Sequence, residues 1–114
     1  MIRKNNDRTS FAKEMFGGPG VMKASQILNA DEFCGKGRLF NHVVLEPGSG
    51  VGLHRHKNDF EVYYLLKGTA TYNDNGKEVE VGPGDVMVCP DGEEHSIVNT
   101  GTTDVEMIAL ILFS

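Results

Sequence analysis

Glycine and proline divide this chain into short apolar segments, and that division excludes most folds. The 114 residues include 14 glycines and 4 prolines, most of which stand between the apolar runs. Asn75-Gly76 tolerates the positive φ of a tight hairpin turn, and Pro83-Gly84 and Asp91-Gly92 punctuate the next two segments in the same way. Helical periodicity is almost absent, and we expect at most a turn or two of helix, at Phe11–Phe16 and Ala30–Phe33.

Many short strands at regular spacing predict an all-β protein, either a β-sandwich or a small β-barrel. The last strand is apolar at successive positions, so it should be buried on both faces. The clearest predicted strands are Arg38–Leu45, Val62–Leu66, Thr69–Asn73, Lys77–Val81, Asp85–Cys89, His95–Asn99 and Val105–Phe113.

The length of the chain allows one domain with one core. Residues 1–20 are polar and then glycine-rich, so we expect an N-terminal arm that is disordered or exchanged between the subunits of a dimer. Residues 21–114 should form the single folded domain. Because the apolar last strand needs a cover on its outer face, the arm or a second copy of the chain should supply it, and we predict a homodimer.

Charge and composition exclude several classes of function. The formal net charge of −5, without a basic cluster, argues against binding to nucleic acid. Met1–Ser10 lacks the apolar core of a signal peptide, and the longest apolar run, Met107–Phe113, falls far short of the roughly 20 residues that cross a bilayer. Cys34 and Cys89 are too few for a disulfide scaffold. We therefore expect a cytoplasmic protein without a membrane partner.

Three histidines and one glutamate form a pattern typical of metal ligands. His54 and His56 are separated by one residue, so on a strand both imidazoles would point to the same face. Glu61 follows after a polar stretch that can turn the chain, and His95 lies near the start of another predicted strand. Three imidazoles and one carboxylate suit Mn, Fe, Co, Ni, Cu or Zn. Four protein ligands on an octahedral ion leave two open positions, as in a working metal site.

These four residues stand inside two spaced motifs. The sequence resembles the cupin superfamily at every fixed position of both motifs, in the order expected of small cupins. That resemblance implies an antiparallel cupin barrel (a double-stranded β-helix, or jelly roll), and one divalent metal ion per chain held by His54, His56, Glu61 and His95. The glycines, Pro90 and Asn99 would then serve turns and packing. The motifs are Gly48-x5-His54-x-His56-x4-Glu61-x6-Gly68 and Gly84-x5-Pro90-x-Gly92-x2-His95-x3-Asn99.

Within the superfamily, so small a chain with a complete ligand set is similar to the oxalate oxidase and oxalate decarboxylase group. The resemblance implies manganese as the metal, with Fe, Zn, Ni, Co or Cu as alternatives, and oxalate or a similar small carboxylate as the ligand. Tyr63 shares the inward parity of Glu61 and is our candidate for a contact with that ligand. His42 matches neither motif, and Arg55 should point to the opposite face from the ligands.

The sequence also departs from the decarboxylases. They carry an arginine shortly before the first histidine, whereas residues 48–53 contain no cation, and they carry a catalytic glutamate on a lid beyond the last ligand. An anion clamp would have to come from Lys36, Arg38 or a partner subunit, and we assign no catalytic residue. Two other functions stay open: an iron dioxygenase or a metal-dependent isomerase or lyase, and a cupin that binds a small molecule without catalysis.

Overall fold

The computed structural model describes residues 1–114, which form ten β-strands and two short 3-10 helices. The helices are Asn5–Asp7 and Ala30–Glu32. The strands are β1 (Ser10–Lys13), β2 (Met22–Gln26), β3 (Gly37–Leu45), β4 (Gly50–Arg55), β5 (Asp59–Lys67), β6 (Ala70–Asp74), β7 (Lys77–Val81), β8 (Val86–Cys89), β9 (Glu94–Val98) and β10 (Val105–Phe113).

The strands form two antiparallel sheets. The six-stranded sheet has the order β1-β2-β3-β10-β5-β8, and the four-stranded sheet has the order β4-β9-β6-β7. Strands that are far apart in sequence are therefore neighbours in space, as in a jelly roll. The predicted all-β antiparallel barrel is confirmed. No helix of the protein has the length and apolar character needed to cross a membrane.

The strand predictions agree closely with the structure, and one prediction is wrong. All seven predicted strands are present, with ends shifted by at most three residues. Ala30–Glu32 forms the expected helical turn, but Phe11–Phe16 does not: Phe11 lies in β1, opposite Ala24 of β2. The edge of an existing sheet offers backbone partners to this segment, and that tertiary pairing outweighs its weak helical pattern.

The core lies between the two sheets and receives side chains from both. Leu45, Leu65 and Met107 of the six-stranded sheet are fully buried, and Ile97 of the four-stranded sheet is 1% exposed. Each such side chain contributes about 1.5–3 kcal/mol by leaving water. The core cluster consists of Met22, Ala24, Val43, Leu45, Val51, Tyr63, Leu65, Ala70, Tyr72, Val81, Met87, Ile97, Val105, Met107 and Ala109.

Residues 1–20, expected as an arm, lie against their own chain in this structure. β1 pairs with β2 at the edge of the six-stranded sheet. Arg3 donates a hydrogen bond to the Ile27 carbonyl at 3.0 Å and pairs with the Glu32 carboxylate at 2.6 Å. Exchange of this segment between subunits stays a prediction.

The last strand has one buried face and one half-exposed face. β10 lies between β3 and β5, with its inward side chains in the core. Its outward side chains, Ile108, Leu110 and Leu112, are only half-buried in the single chain. The expected burial of both faces is thus half met within one chain, and the outer face keeps an apolar surface.

Asn99 supplies a test of how the barrel is held together. Its buried amide donates to the carbonyls of Leu45 and Thr103, both at 2.8 Å, and accepts a hydrogen bond from the Gly101 N–H at 2.9 Å. Asn99→Ala leaves these groups without partners, so we expect a loss of about 2–4 kcal/mol in the free energy of unfolding, measured by urea denaturation.

Asn73→Ala is the matched control for that measurement. The Asn73 side chain accepts one exposed hydrogen bond, from the Gly76 N–H at 2.8 Å. Its removal should cost less than about 1 kcal/mol, because water replaces the lost partner. Equal losses for the two variants would contradict a stabilising role for Asn99.

Candidate metal centre

Two of the histidines face each other across paired strands. β4 pairs with β9, and the register places His54 directly opposite His95. A bulge between Val51 and His54 adds one residue to β4 before the pairing resumes. His56 follows the end of β4, where its N–H donates to the Glu93 carbonyl at 3.0 Å. The chain thus brings His56 to the same cluster as His54, although His56 itself lies outside the strand.

Glu61 reaches this cluster from the other sheet. It lies on the inner face of β5 and is 4% exposed. Its Oε1 lies 3.0 Å from His95 Nε2, 3.1 Å from His56 Nε2 and 3.5 Å from His54 Nε2. His95 Nε2 lies 3.1 Å and 3.0 Å from the Nε2 atoms of His56 and His54. All four donor atoms lie within 4.8 Å of one another.

The Nδ1 atom of each histidine is held by a hydrogen bond on the far side of its ring. The Nδ1 partners of His54 and His56 are a carbonyl and a carboxylate oxygen, which can only accept. Both histidines therefore donate from Nδ1, and their neutral rings present an Nε2 lone pair. Such outer partners orient metal-binding imidazoles in known sites. The pairs are His54 with the Gly52 carbonyl at 2.8 Å, His56 with the Asp59 carboxylate at 2.7 Å, and His95 with the Tyr72 hydroxyl at 2.8 Å.

The cluster is electrostatically prepared for a cation. Burial by itself would raise the pKa of Glu61, but contact with the three histidine side chains holds that pKa well below its ordinary value. Burial lowers the pKa of His95 and so favours its neutral form. The neighbouring Glu61 carboxylate raises the pKa of His56. A buried carboxylate beside imidazole lone pairs is a negative centre, and a metal ion satisfies all four donors together.

The spacing of the donors fits a single metal ion. Two ligands about 2.1 Å from one ion, at right angles to each other, lie about 3.0 Å apart. Five of the six donor separations in this cluster are 3.0–3.5 Å. His54, His56, Glu61 and His95 therefore form a cluster that suits one ion, as predicted from the sequence.

A cavity of about 70 Å³ adjoins the cluster. Ten of its 15 lining residues are hydrophobic, so the few polar side chains in it stand out. Tyr63 lies on the wall, with its ring stacked on that of His95 at a centroid distance of 5.1 Å. Burial raises the pKa of Tyr63 well above its ordinary value, so the hydroxyl stays protonated and able to donate. The inward orientation predicted for Tyr63 is confirmed.

Comparison with known proteins identifies the family. The cupin domain family model matches residues 41–111, which is more than half of the chain and contains all four residues of the cluster. The chain is a cupin. Its likeness to the family therefore covers the metal cluster itself as well as the barrel.

Two matches to proteins of Thermotoga maritima extend over nearly the whole of this cupin. An oxalate-binding protein of that organism is 41% identical over 112 residues, which is 98% of this chain and 93% of the relative. A crystal structure from the same organism, described as a predicted oxalate decarboxylase, superposes with a TM-score of 0.94 at 41% identity and covers 100% of both chains.

A third relative is similar over a smaller part. The quercetin 2,3-dioxygenase of Escherichia coli K12 is 34% identical over 70 residues, which is 59% of this chain and 30% of that enzyme. This cupin thus shares a barrel segment with relatives of different chemistry.

Sequence reasoning missed the part of the cavity wall that comes from the N-terminal segment. The Phe16 ring stacks on His54 at 4.2 Å between centroids and 13° between planes, and Met15 lines the cavity beside it. Gly52 permits this approach: its N–H donates to the Met15 carbonyl at 2.9 Å, and a Cβ there would collide with the Phe16 carbonyl. No residue pattern indicated this contact, because it joins segments far apart in sequence.

A second missed residue is Asn41 of β3. It is 4% exposed and lines the cavity. The signal was present in the sequence, because Asn41 is the polar residue at an inward position between Leu39 and Val43. Its position on the wall makes the Asn41 amide a candidate contact for a ligand in the cavity.

Of the other residues singled out in the sequence, one lines the cavity and three lie outside it. Arg38 lines the cavity, whereas Lys36 does not. Arg55 points away from the cluster and pairs with Glu94 at 3.5 Å. His42 lies outside the cavity, 3.1 Å from Glu106. The predictions that Arg55 and His42 stand apart from the cluster are confirmed.

The hydrogen bond from Tyr72 to the cluster can be tested by one substitution. Tyr72→Phe keeps the buried ring but leaves His95 Nδ1 without its partner, so His95 loses its fixed orientation. We expect the affinity for manganese or zinc to fall about 10-fold to 100-fold, measured by competition with a chelating dye. Tyr64→Phe is the control, since Tyr64 is 43% exposed on the outer face and its removal should leave the affinity unchanged. Equal effects would mean that Tyr72 does not orient His95.

Proposed function

We propose that this cupin holds one divalent metal ion at His54, His56, Glu61 and His95 and binds a small dicarboxylate such as oxalate beside it. The observation that carries the proposal is the convergence of four donor atoms, all within 4.8 Å, at the wall of a small cavity. A bound ion would supply positive charge and open coordination positions for an anionic ligand.

Manganese is the metal that we favour. The donors are three imidazole nitrogens and one carboxylate oxygen, without a thiolate or thioether, which suits borderline to hard ions. The thiol of the nearby Cys89 is 2% exposed, and burial raises its pKa to about 11. Cys89 does not belong to the group of converging donor atoms. Fe, Zn, Ni, Co and Cu remain chemically compatible alternatives.

The cavity suits a ligand of oxalate size. Its volume of about 70 Å³ suits a ligand of a few atoms. Asn41 and Tyr63 would donate hydrogen bonds to carboxylate oxygens, and the hydrophobic wall would exclude bulk water, which strengthens both contacts. The 41% identity to an oxalate-binding protein supports the same class of ligand.

Binding is the first function that we propose, and oxidation or decarboxylation of the bound carboxylate is the second. Glu61 is the sole acid among the residues that line the cavity, and the cluster already uses it. A decarboxylation that needs a separate proton donor would have to take it from Tyr63 or from solvent. An iron dioxygenase and a metal-dependent isomerase or lyase remain compatible alternatives, because the same donor set serves each of them.

Metal analysis with substitutions tests this proposal. We expect about one manganese ion per chain by elemental analysis of the loaded protein, and binding of oxalate by titration calorimetry. His56→Ala and Glu61→Gln should each lower metal affinity at least 100-fold, because each removes a ligand. Oxalate binding should then disappear with the metal. Release of carbon dioxide and formate from oxalate would support the second function.

His42→Ala is the matched control, since this histidine lies outside the cluster. It should leave metal content and oxalate binding unchanged. Full metal content after the double substitution His56→Ala and Glu61→Gln would contradict the ligand assignment. Iron as the metal that restores activity would move the assignment toward a dioxygenase.

We also propose that the cupin forms a homodimer through the outer face of the six-stranded sheet. Val86 and Val88 of β8 are 60% and 50% exposed, and Tyr64 and Leu66 of β5 are 43% and 44% exposed. The half-buried outward side chains of β10 continue the same face. A twofold axis would place this apolar face against its own copy, which buries both without a different partner. A patch of this kind is unusual on a monomer.

The dimer can be tested by placing charge on the proposed interface. Val86→Glu together with Val88→Glu should shift the mass in light scattering from two chains to one, since two buried carboxylates per subunit would oppose association. Val79→Glu on β7 is the control, because Val79 is an exposed apolar residue of the other sheet. A wild-type mass of one chain would refute the dimer.

A further inference from the structure

An irregularity in β3 changes the direction of Arg38. In the pairing of β10 with β3, Ile111 is opposite Leu39 and Leu112 is opposite Gly37, so Arg38 is the extra residue. Simple alternation would place Arg38 on the outer face with Phe40 and His42. Bulges of this kind occur beside functional sites and redirect a side chain.

The redirected side chain reaches the cavity beside the metal cluster. Arg38 lines the cavity, and its Nε donates to the Asp59 carboxylate at 2.8 Å. The other oxygen of Asp59 accepts the hydrogen bond from His56 Nδ1 at 2.7 Å. One carboxylate therefore connects the guanidinium to a ring of the cluster and fixes how far apart they lie.

The rest of the guanidinium has no partner in the chain. Nε is occupied by Asp59, while the two terminal nitrogens make no hydrogen bond with any residue of the protein. The side chain is 51% exposed, at the edge of a cavity that is otherwise mostly hydrophobic. Arg38 is also the sole lysine or arginine among the lining residues. The guanidinium is held in place through Nε, and its two terminal NH2 groups remain free to donate hydrogen bonds to the oxygens of a carboxylate.

We propose that Arg38 is a specificity-determining residue, which binds the carboxylate of a dicarboxylate ligand that lies away from the histidines. This inference rests on the proposed function, and it names the side chain that distinguishes two carboxylates from one. A monocarboxylate satisfies the metal cluster but leaves Arg38 empty. A dicarboxylate satisfies both, so charge-assisted hydrogen bonds to Arg38 add to its affinity alone.

The experiment compares oxalate with formate on manganese-loaded protein. Titration calorimetry gives the Kd of each ligand for the wild type, Arg38→Gln and Arg38→Lys. We expect Arg38→Gln to weaken oxalate binding at least about tenfold and formate binding less than about twofold. Arg38→Lys keeps the charge without the fork and should give an intermediate oxalate Kd. Elemental analysis of each variant should still show one manganese ion per chain.

Arg55→Gln is the matched control, because Arg55 lies one residue from His54 and His56 yet pairs with Glu94 outside the cavity. It should leave both Kd values unchanged. If Arg38→Gln does not fold, the oxalate-to-formate ratio of Arg38→Lys against wild type decides the question, and an unchanged ratio would overturn the proposal.

The outcomes separate this inference from the function on which it rests. A wild-type protein that binds neither ligand would overturn both. Wild-type binding of oxalate, with an unchanged Kd in Arg38→Gln, would overturn the role of Arg38 alone. Parallel losses of manganese, formate and oxalate in Arg38→Gln would show that Arg38 acts only by positioning Asp59 and His56, and would also overturn the proposal.

Discussion

The antiparallel register of β4 with β9 is the constraint on which the site depends. It sets His54 opposite His95 at 3.0 Å between Nε2 atoms, and the bulge in β4 adjusts the chain so that His56 follows into the same cluster. Glu61 arrives from the opposite sheet, so the cluster also links the two layers of the barrel. A slip of β4 by one residue would turn His54 outward and leave the buried Glu61 carboxylate with fewer partners, which is costly. The register of β4 and β9 thus positions the donors, and the cost of misplacing those donors in turn favours this register.

The sequence predicted the barrel and the cluster because both follow from short-range patterns. Turn residues such as Asn75-Gly76 set the strand ends, and the spacing of His54, His56 and Glu61 is visible within a few residues. The strand at Ser10–Lys13 was missed because its four residues carry little apolar alternation and gain their hydrogen bonds from β2. Features set by neighbouring residues could be predicted from the sequence, whereas a strand that depends on pairing with a distant segment could not.

The residues around the cavity were harder to predict for three different physical reasons. Asn41 was visible as a polar residue in an inward position, but the sequence alone does not show that this position faces a cavity. Phe16 has a φ of 54°, a conformation that residues other than glycine rarely adopt, and in it the Phe16 ring reaches His54. Arg38 was named from the sequence only as one of several candidate anion clamps, because the bulge that turns it toward the cavity leaves no mark on composition or periodicity.

The segments that build the cavity differ in how far the family shares them. The cupin family match begins at residue 41, so the four donors lie within it, whereas Met15, Phe16 and Arg38 lie before it. The inner end of the cavity therefore belongs to the common barrel, and much of its outer end is assembled from chain that the family match does not include. Changes in the first forty residues can alter which molecules enter while the donors keep their positions. The same barrel and donor cluster can in this way bind different ligands when the residues around the mouth of the cavity change.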